Sequence, residues 1–570
     1  MKRLFVLMLA LGMALLLTGC VLSTSTVTTS QSTTSSSGID SSTTTSNSSS
    51  TTSTTSTLPS STTTLTTTQD TSTGTVTTVT YDRYQTIELF SLNDFHGGAY
   101  SDINTLSYIG EFLKYKKDST NHTLIIANGD IFQGSAFSNY YHGRPIVDIF
   151  NEIGFDAFVI GNHEFDWGID EIAKYNDGLA ENGEANFPFL AANILTTSSD
   201  EMLDFTEPYT IHEINGLKVG IIGVIGDVIN SISASRVEGY YFDNVYETVR
   251  QYAYELRTEH DVDIVIASIH EYESFTNSSI ANLTGDYRVD AIFNGHTHQN
   301  MGDLISRTGA PLPYAQASNY SNSLLAKITL VYDRVNHVIT TAYAETLSED
   351  NFSTTDTAIN NIIISYSNDP IYMNFINEEL VVTNSSYSRY DFAPWGASVI
   401  RDYVGVDFGF LNSGGFRVTM ATGVLTMGEL VEIYPFDNFI KTSQLTGAQL
   451  NNMCYVLVNN DVIADDSVSC SNGVFKQNGV AVSTSQLYTV AAVDYIFDKT
   501  NYGFLQGANI TQTEYLMREL LAMDLRANTD VYFNPANGTS FVPVSPTSVY
   551  SYVLPNEISI FYLDLYKSIV

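Results

Sequence analysis

Positive charge is scarce in this chain. Its 570 residues hold 25 Lys plus Arg against 62 Asp plus Glu, a formal net charge of -37. So acidic a surface repels polyanions and excludes nucleic-acid polymers as natural partners. A small phosphate ester stays compatible wherever local cations reverse the field. Cysteine is rarer still, at three residues, so no dense disulfide framework holds the fold. Cys20 stands apart near the start. Cys454 and Cys470 lie close enough in sequence to pair in an oxidising compartment, the alternative being two free thiols with Cys454 buried behind Leu450 and Met453. The apolar run from Leu4 to Leu17 is short for a membrane span.

That run follows Lys2 and Arg3, and small residues close it, which reads as a secretory signal over residues 1–20. Leu17-Thr18-Gly19-Cys20 resembles the bacterial lipobox, which implies lipidation of Cys20 and a body anchored to the membrane on its outer side. Residues 21–80 are almost entirely Ser and Thr, with no periodic apolar face. Such a stretch cannot offset its ordering entropy and is expected to be a disordered tether. Coil scaling gives it a reach on the order of 45 Å.

The remaining body is 43% hydrophobic and 12% aromatic by whole-chain composition, enough for sizeable cores. Residues 81–346 alternate strand-like and helix-like stretches. Ile87 to Leu92, Leu124 to Ala127, Ala157 to Ile160, Val262 to Ala267 and Val289 to Phe293 are apolar runs of strand length. Leu106, Ile109 and Leu113 recur at helical spacing, and Val245 to Glu259 reads as a helix. Thr210 to Ile214 and Leu217 to Ile225 flank Asn215-Gly216, a hairpin signal. Leu324 to Tyr332 and His337 to Ala344 suit an antiparallel ending. The expected architecture is α/β, with two packed sheets and helices outside. Residues 347–380 read as a connecting helix, leading into a second domain over residues 381–570.

Polar ligand types follow these apolar runs. Asp94 and His96 come after the first, Asp130 after the second, Asn162 and His163 after the third. His270 closes the run after Val262, and His296 and His298 follow Phe293. In an α/β sheet the carboxyl ends of strands are where sites are built. A lone histidine there is usually structural; five clusters at successive strand ends are not. Carboxylate, imidazole and amide together suit two divalent ions such as Zn, Mn, Co or Mg, of the kind that clamps attacking and leaving oxygens in phosphoryl transfer.

The order Asp94-x-His96, Gly129-Asp130, Gly161-Asn162-His163-Glu164-Phe165-Asp166, His270 and Gly295-His296-Thr297-His298 resembles the calcineurin-like metallophosphatases, and more narrowly the secreted 5'-nucleotidase and UDP-sugar hydrolase family. Tyr141-His142-Gly143-Arg144-Pro145 and Phe165-Asp166-Trp167-Gly168 share in that likeness. The resemblance implies a four-layer α/β/β/α sandwich followed by an α/β substrate-binding domain. It implies that Asp94, His96 and His298 hold one ion, that Asn162, His270 and His296 hold the other, and that Asp130 bridges them. His298 stands where the family commonly has Gln. The resemblance further implies that His163, oriented by Asp166, stabilises the transition state and protonates the leaving group, with a hydroxide supplied by the ions as nucleophile.

In the second domain, Asn412-Ser413-Gly414-Gly415-Phe416-Arg417 is similar to the family's Gly-rich loop. Tyr434-Pro435-Phe436-Asp437-Asn438 is similar to the segment with a stacking aromatic and a nearby Asn, and Arg389 matches a substrate-side arginine. Arg389, Asn412, Gly414, Gly415, Arg417, Phe436, Asn438 and Tyr495 are therefore the implied substrate-binding set. Two departures stand out. A second expected arginine is Ser385, and the ribose-binding Asp expected near Asn501 or Tyr502 is missing. The implied activity is hydrolysis of nucleoside 5'-monophosphates. A cyclic or 3'-nucleotide, a nucleotide sugar, or a non-catalytic surface role are the alternatives, and the oligomeric state stays open.

Overall fold

The structure is a computed structural model that describes residues 65–70, 76–99, 102–120, 122–318, 323–459, 462–527, 533 and 535. The signal segment and Cys20 lie outside them. Part of the expected tether does not: Leu65–Asp70 pairs antiparallel with Val76–Tyr81. This corrects the reading of residues 21–80 as tether throughout. The second strand is Val-Thr-Thr-Val-Thr-Tyr, and β-branched residues favour extended backbone even without an apolar face.

The N-terminal part contributes β1 (Tyr84–Leu92), β2 (Thr123–Asn128), β3 (Ala157–Val159), β4 (Leu217–Ile225), β5 (Ile264–His270), β6 (Ala291–Asn294), β7 (Leu325–Asp333) and β8 (Val338–Leu347). β1, β2 and β3 run parallel as neighbours, with β7 antiparallel on the other side of β1 and β8 beyond it. β4, β5 and β6 form a second parallel run, which Tyr209–Ile214 edges as the expected hairpin across Asn215-Gly216.

Alternation explains why these strands read as unbroken apolar runs. Ile87 and Leu89 of β1 enter a core shared with Ile264 and Ile266 of β5, whereas Phe90 and Leu92 enter a different one. Val265, Ala267 and Ile269 of β5 face a third. Both faces of each sheet are thus buried, as the doubly covered parallel sheet requires. α1 (Thr105–Thr120) and α2 (Arg144–Ile153) cover the first sheet, and α3 (Val245–Glu259) covers the second. The layers are α/β/β/α.

The stretch expected to be a single connecting helix is two: α4 (Thr357–Ser367) and α5 (Pro370–Ile376). Pro370 cannot continue α4, and the Asp369 side chain accepts the Ile371 and Tyr372 N–H groups to start α5. The C-terminal part then adds α6 (Arg389–Val404), β9 (Phe408–Leu411), α7 (Met427–Ile433), β10 (Phe439–Thr446), α8 (Gly447–Val458), β11 (Leu487–Val493), β12 (Ala508–Leu516) and α9 (Met517–Ala527). β9, β11, β10 and β12 are neighbours in that order in a five-stranded sheet. Cys454 on α8 and Cys470 form a disulfide, with Cα atoms 5.5 Å apart.

Candidate metal centre and active site

Because β1, β2, β3, β5 and β6 run in parallel, their carboxyl ends lie at one edge of the two sheets. The seven expected ligands come together there. Asp94, His96 and His298 offer atoms within 4.8 Å of one another, as do Asp130, His270 and His296, and as do His96, Asp130 and His163. Asn162 joins through Oδ1, 2.7 Å from His296 Nδ1 and 3.2 Å from His270 Nε2.

Five of these residues hold a backbone that side chains rarely adopt. Asp94, His96, Asp130, His296 and His298 have φ of 51°, 51°, 55°, 66° and 51°. A left-handed conformation costs a non-glycine residue roughly 1–2 kcal/mol. The cost is met where surrounding structure over-determines the turn, which is typical of functional sites. Gly129, at φ 79°, clears the approach of His270: a Cβ there would run into the His270 ring.

Buried partners fix the ligands. The Glu164 carboxylate is fully buried and accepts the backbone N–H groups of Gly161 at 2.8 Å and of Asp130 and Ile131 at 2.9 Å. It ties the β2 loop to the β3 loop. Asn93 donates to Asp94 at 2.5 Å, and the His296 N–H donates to Asp94 Oδ1 at 3.0 Å. His96 Nδ1 donates to the Gln133 carbonyl at 3.1 Å, and His270 Nδ1 to the Asn128 carbonyl at 2.7 Å. A ring nitrogen that donates to a carbonyl leaves the other with a lone pair aimed into the site.

The fit to cations follows from that geometry. His96 Nε2 and His298 Nε2 are 3.4 Å apart, and His270 Nε2 lies 3.1 Å from Asp130 Oδ2. Lone pairs of imidazole, carboxylate and amide converge in a largely buried cluster. Without ions, protons must supply the missing charge. Burial opposes ionisation of His270, yet Asp130 outweighs it and pushes the imidazole up to about 10. Burial pushes Asp94 up to about 7, and it pushes His296 and His298 down to about 4. Divalent ions would remove the conflict directly, and the donor set fits them.

His163 sits at the rim. Its Nδ1 is 2.7 Å from Asp166 Oδ2, its backbone N–H donates to Asp130 Oδ1 at 2.8 Å, and its Nε2 is 4.0 Å from Asp130 Oδ2. Burial works against a charged ring, but Asp166 and Asp130 raise it to about 9. Distances alone therefore permit His163 as a ligand through Nε2, or as a charged donor beside the centre.

The C-terminal part meets this edge through Phe436, whose ring stacks on His163 at 5.9 Å between centroids. The Arg417 guanidinium lies 5.7 Å over the Phe436 ring; burial chiefly lowers His96 and His298, and the Arg417 charge adds to it. Gly415 packs on the buried Tyr434 ring, where a Cβ would clash; Gly414 is exposed, and Asn412 opens the turn half-buried. Tyr495 is half-buried, and burial followed by the charge of Asp166 raises its phenol. The Lys499 ammonium caps the Tyr495 ring at 3.7 Å and donates to the Asn230 carbonyl at 2.8 Å.

Two expected substrate residues make protein contacts of their own. Asn438 donates to Asp494 at 2.8 Å and to the Ser233 hydroxyl of the N-terminal part at 3.4 Å, accepts from the Tyr434 hydroxyl at 3.0 Å, and lines a recess with Asp166 and Phe436. Arg389 is exposed at the start of α6 and donates to the Tyr390 hydroxyl at 3.1 Å. Sequence reasoning missed Glu164, Asn93, Gln133 and Asp494 as builders of the site. Glu164 was visible inside its motif, but nothing local says that an acidic side chain will be buried to accept three N–H groups.

A profile described as calcineurin-like phosphoesterase matches residues 90–300, and one described as 5'-nucleotidase, C-terminal domain, matches residues 367–506. The chain is a calcineurin-like phosphoesterase with a 5'-nucleotidase C-terminal domain. Its family acts on phosphoester bonds and depends on divalent metal. The chain is 27% identical over 398 residues to Endonuclease YhcR of Bacillus subtilis, covering 64% of this chain and 32% of that protein. It is 26% identical over 378 residues to snake venom 5'-nucleotidase of Gloydius brevicauda, covering 58% and 61%. The chain thus spans less than two thirds of the length of either relative. Its fold is that of the 5'-nucleotidase precursor from Thermus thermophilus, with a TM-score of 0.61 at 18% identity over 78% of this chain and 96% of that one.

Proposed function

We propose that this phosphoesterase hydrolyses nucleoside 5'-monophosphates outside the cytoplasm, anchored by a lipid on Cys20. The observation that carries the reading is the His163–Asp166 pair at 2.7 Å, beside the ligand cluster and under the Phe436 ring. Two divalent ions would be held by Asp94, His96 and His298 on one side and by Asn162, His270 and His296 on the other, with Asp130 between. Bound there, such ions supply a hydroxide near neutral pH and neutralise charge developing on phosphoryl oxygens.

The chain's own groups do the rest. Asp166 holds the His163 ring through Nδ1, so that Nε2 carries a proton toward the leaving oxygen. A ring raised to about 9 keeps that proton at neutral pH. Arg417 adds a fixed positive charge suited to a phosphate. Phe436 and Tyr495 offer π-faces to a base of any identity, with Lys499 already on one face of Tyr495. Without the usual Asp near Asn501, and with Asp494 engaged by Asn438, ribose and deoxyribose should be poorly distinguished. Relatives named as 5'-nucleotidases support the substrate class.

A substrate panel on purified residues 81–570, before and after chelation and with several metals restored, tests the reading. Hydrolysis of 5'-monophosphates that chelation abolishes and divalent ions restore is the expected result. Activity confined to cyclic or 3'-nucleotides or to nucleotide sugars would replace it, and full activity after chelation would remove the metal from it.

A further inference from the structure

Gln133 is buried to 2% exposure beside the centre, and its Nε2 has no hydrogen-bond partner among the described residues. A buried amide N–H without a partner costs about 1–3 kcal/mol, so such a group calls for an acceptor that arrives from outside the chain. Gln133 lines a cleft between the two parts of the protein, together with His96, Gly134, Arg417, Glu432 and Pro435. The lining thus joins His96 of the ligand cluster to the Arg417 guanidinium of the C-terminal part.

The walls are built and held. The Gly134 N–H donates to Asn139 Oδ1 at 2.8 Å, and Asn139 Nδ2 donates to the Pro435 carbonyl at 2.8 Å, so one side chain ties both sides of the cleft together. The His96 ring is oriented by the backbone carbonyl of Gln133, not by its side chain. The carboxamide therefore has no part in placing the ligand, and its donor is spare. Arg417 brings a guanidinium to the cleft, and Glu432 in the same lining brings a carboxylate.

We propose that the Gln133 carboxamide is a phosphate-binding group, its Nε2 donating to a terminal oxygen of the substrate's phosphoryl group on the Arg417 side of the centre. The proposal rests on the phosphoester reading above and extends it to a residue outside the expected ligand and substrate sets. A neutral donor serves here better than another cation. It bonds the phosphoryl oxygen without repelling the ions, and it releases product phosphate more readily than a guanidinium would.

The test compares the metal-loaded protein with Gln133→Met, which keeps length and loses the donor, and Gln133→Glu, which turns the donor into an anionic acceptor. Inorganic phosphate is titrated calorimetrically into each, and adenosine 5'-monophosphate and p-nitrophenyl phosphate are followed kinetically. Gln133→Met should weaken phosphate binding by about ten- to a hundredfold, the usual worth of a hydrogen bond to a charged group. Gln133→Glu should weaken it further. kcat/KM should fall by a similar factor for both esters, because the phosphoryl group is what they share. Metal content should match the parent in Gln133→Met, whose melting temperature should equal or exceed the parent's, because the unpartnered donor is gone. Phosphate binding equal to the parent's in both variants, or a loss confined to the nucleotide, overturns the proposal. A parent that binds no phosphate and hydrolyses neither ester removes the phosphoester reading instead, so the two failures are told apart.

Discussion

His163 Nδ1 lies 2.7 Å from Asp166 Oδ2, and this bond turns the other ring nitrogen toward Asp130, 4.0 Å away. A proton donor is thereby aimed at the metal cluster while its own position depends on a residue outside that cluster. Loss of the imidazole and loss of its orienting carboxylate should therefore be separable.

His163→Ala should retain metal and lose turnover by about 100- to 10,000-fold, the range of general-acid contributions. Asp166→Asn should fall between parent and His163→Ala, since the ring remains but its orientation and charge are weakened. Metal content by mass spectrometry, measured beside kcat, decides the role. If metal is lost with activity, His163 is a ligand.

Glu164→Gln exchanges a buried anion for a neutral amide that cannot serve three N–H donors equally well. Charge-assisted bonds are worth about 1.5–3 kcal/mol each. We expect a loss of at least about 3 kcal/mol in urea unfolding, together with weaker metal retention, because Glu164 positions the Asp130 loop. Asp130→Ala, by contrast, should abolish metal-dependent activity outright. A Glu164→Gln protein as stable as the parent would show that the loops hold themselves.

Phe436→Ala should lower kcat/KM for adenosine, uridine and guanosine monophosphates alike, by about ten- to a hundredfold, from the worth of base–aromatic stacking. It should barely change hydrolysis of p-nitrophenyl phosphate. The contact of Phe436 with His163 adds a second expectation. If the ring chiefly supports His163, both substrates will suffer equally, and the base-stacking role falls.

Glu171 carries a pH dependence that lies outside the metal cluster. Burial favours its protonated form, but a hydrogen bond from His142 at 3.2 Å and the Lys174 ammonium at 2.6 Å bring it down to about 2. A carboxylate whose pKa is depressed on folding contributes stability that is complete above its unfolded value near 4.5 and is lost as pH falls toward 2. Glu171→Gln should flatten the fall of unfolding free energy across that window and leave the slope at neutral pH unchanged. An identical acid slope in parent and variant would remove the assignment.

Local chemistry was enough for much of the fold. The α3 bounds, the hairpin at Asn215-Gly216 and the parallel strands of the first domain were legible because helical period, turn residues and unbroken apolar runs report backbone preference directly. The ligand types were legible for the same reason, since they follow those runs. What only the tertiary structure decided is where side chains point and which partners they meet. Cys454 and Cys470 could have stayed apart; packing of α8 against the hairpin of Val468–Ser471 with Val474–Gln477 brought them to bonding distance. Asn438 and Arg389 looked alike as substrate residues, yet one braces Asp494 and the other lies on Tyr390. Glu164 and Gln133 carried no local signal, because their roles are set by N–H groups and a cleft supplied by distant parts of the chain. Backbone preference is a property of neighbours in sequence, whereas a buried hydrogen bond is a property of neighbours in space.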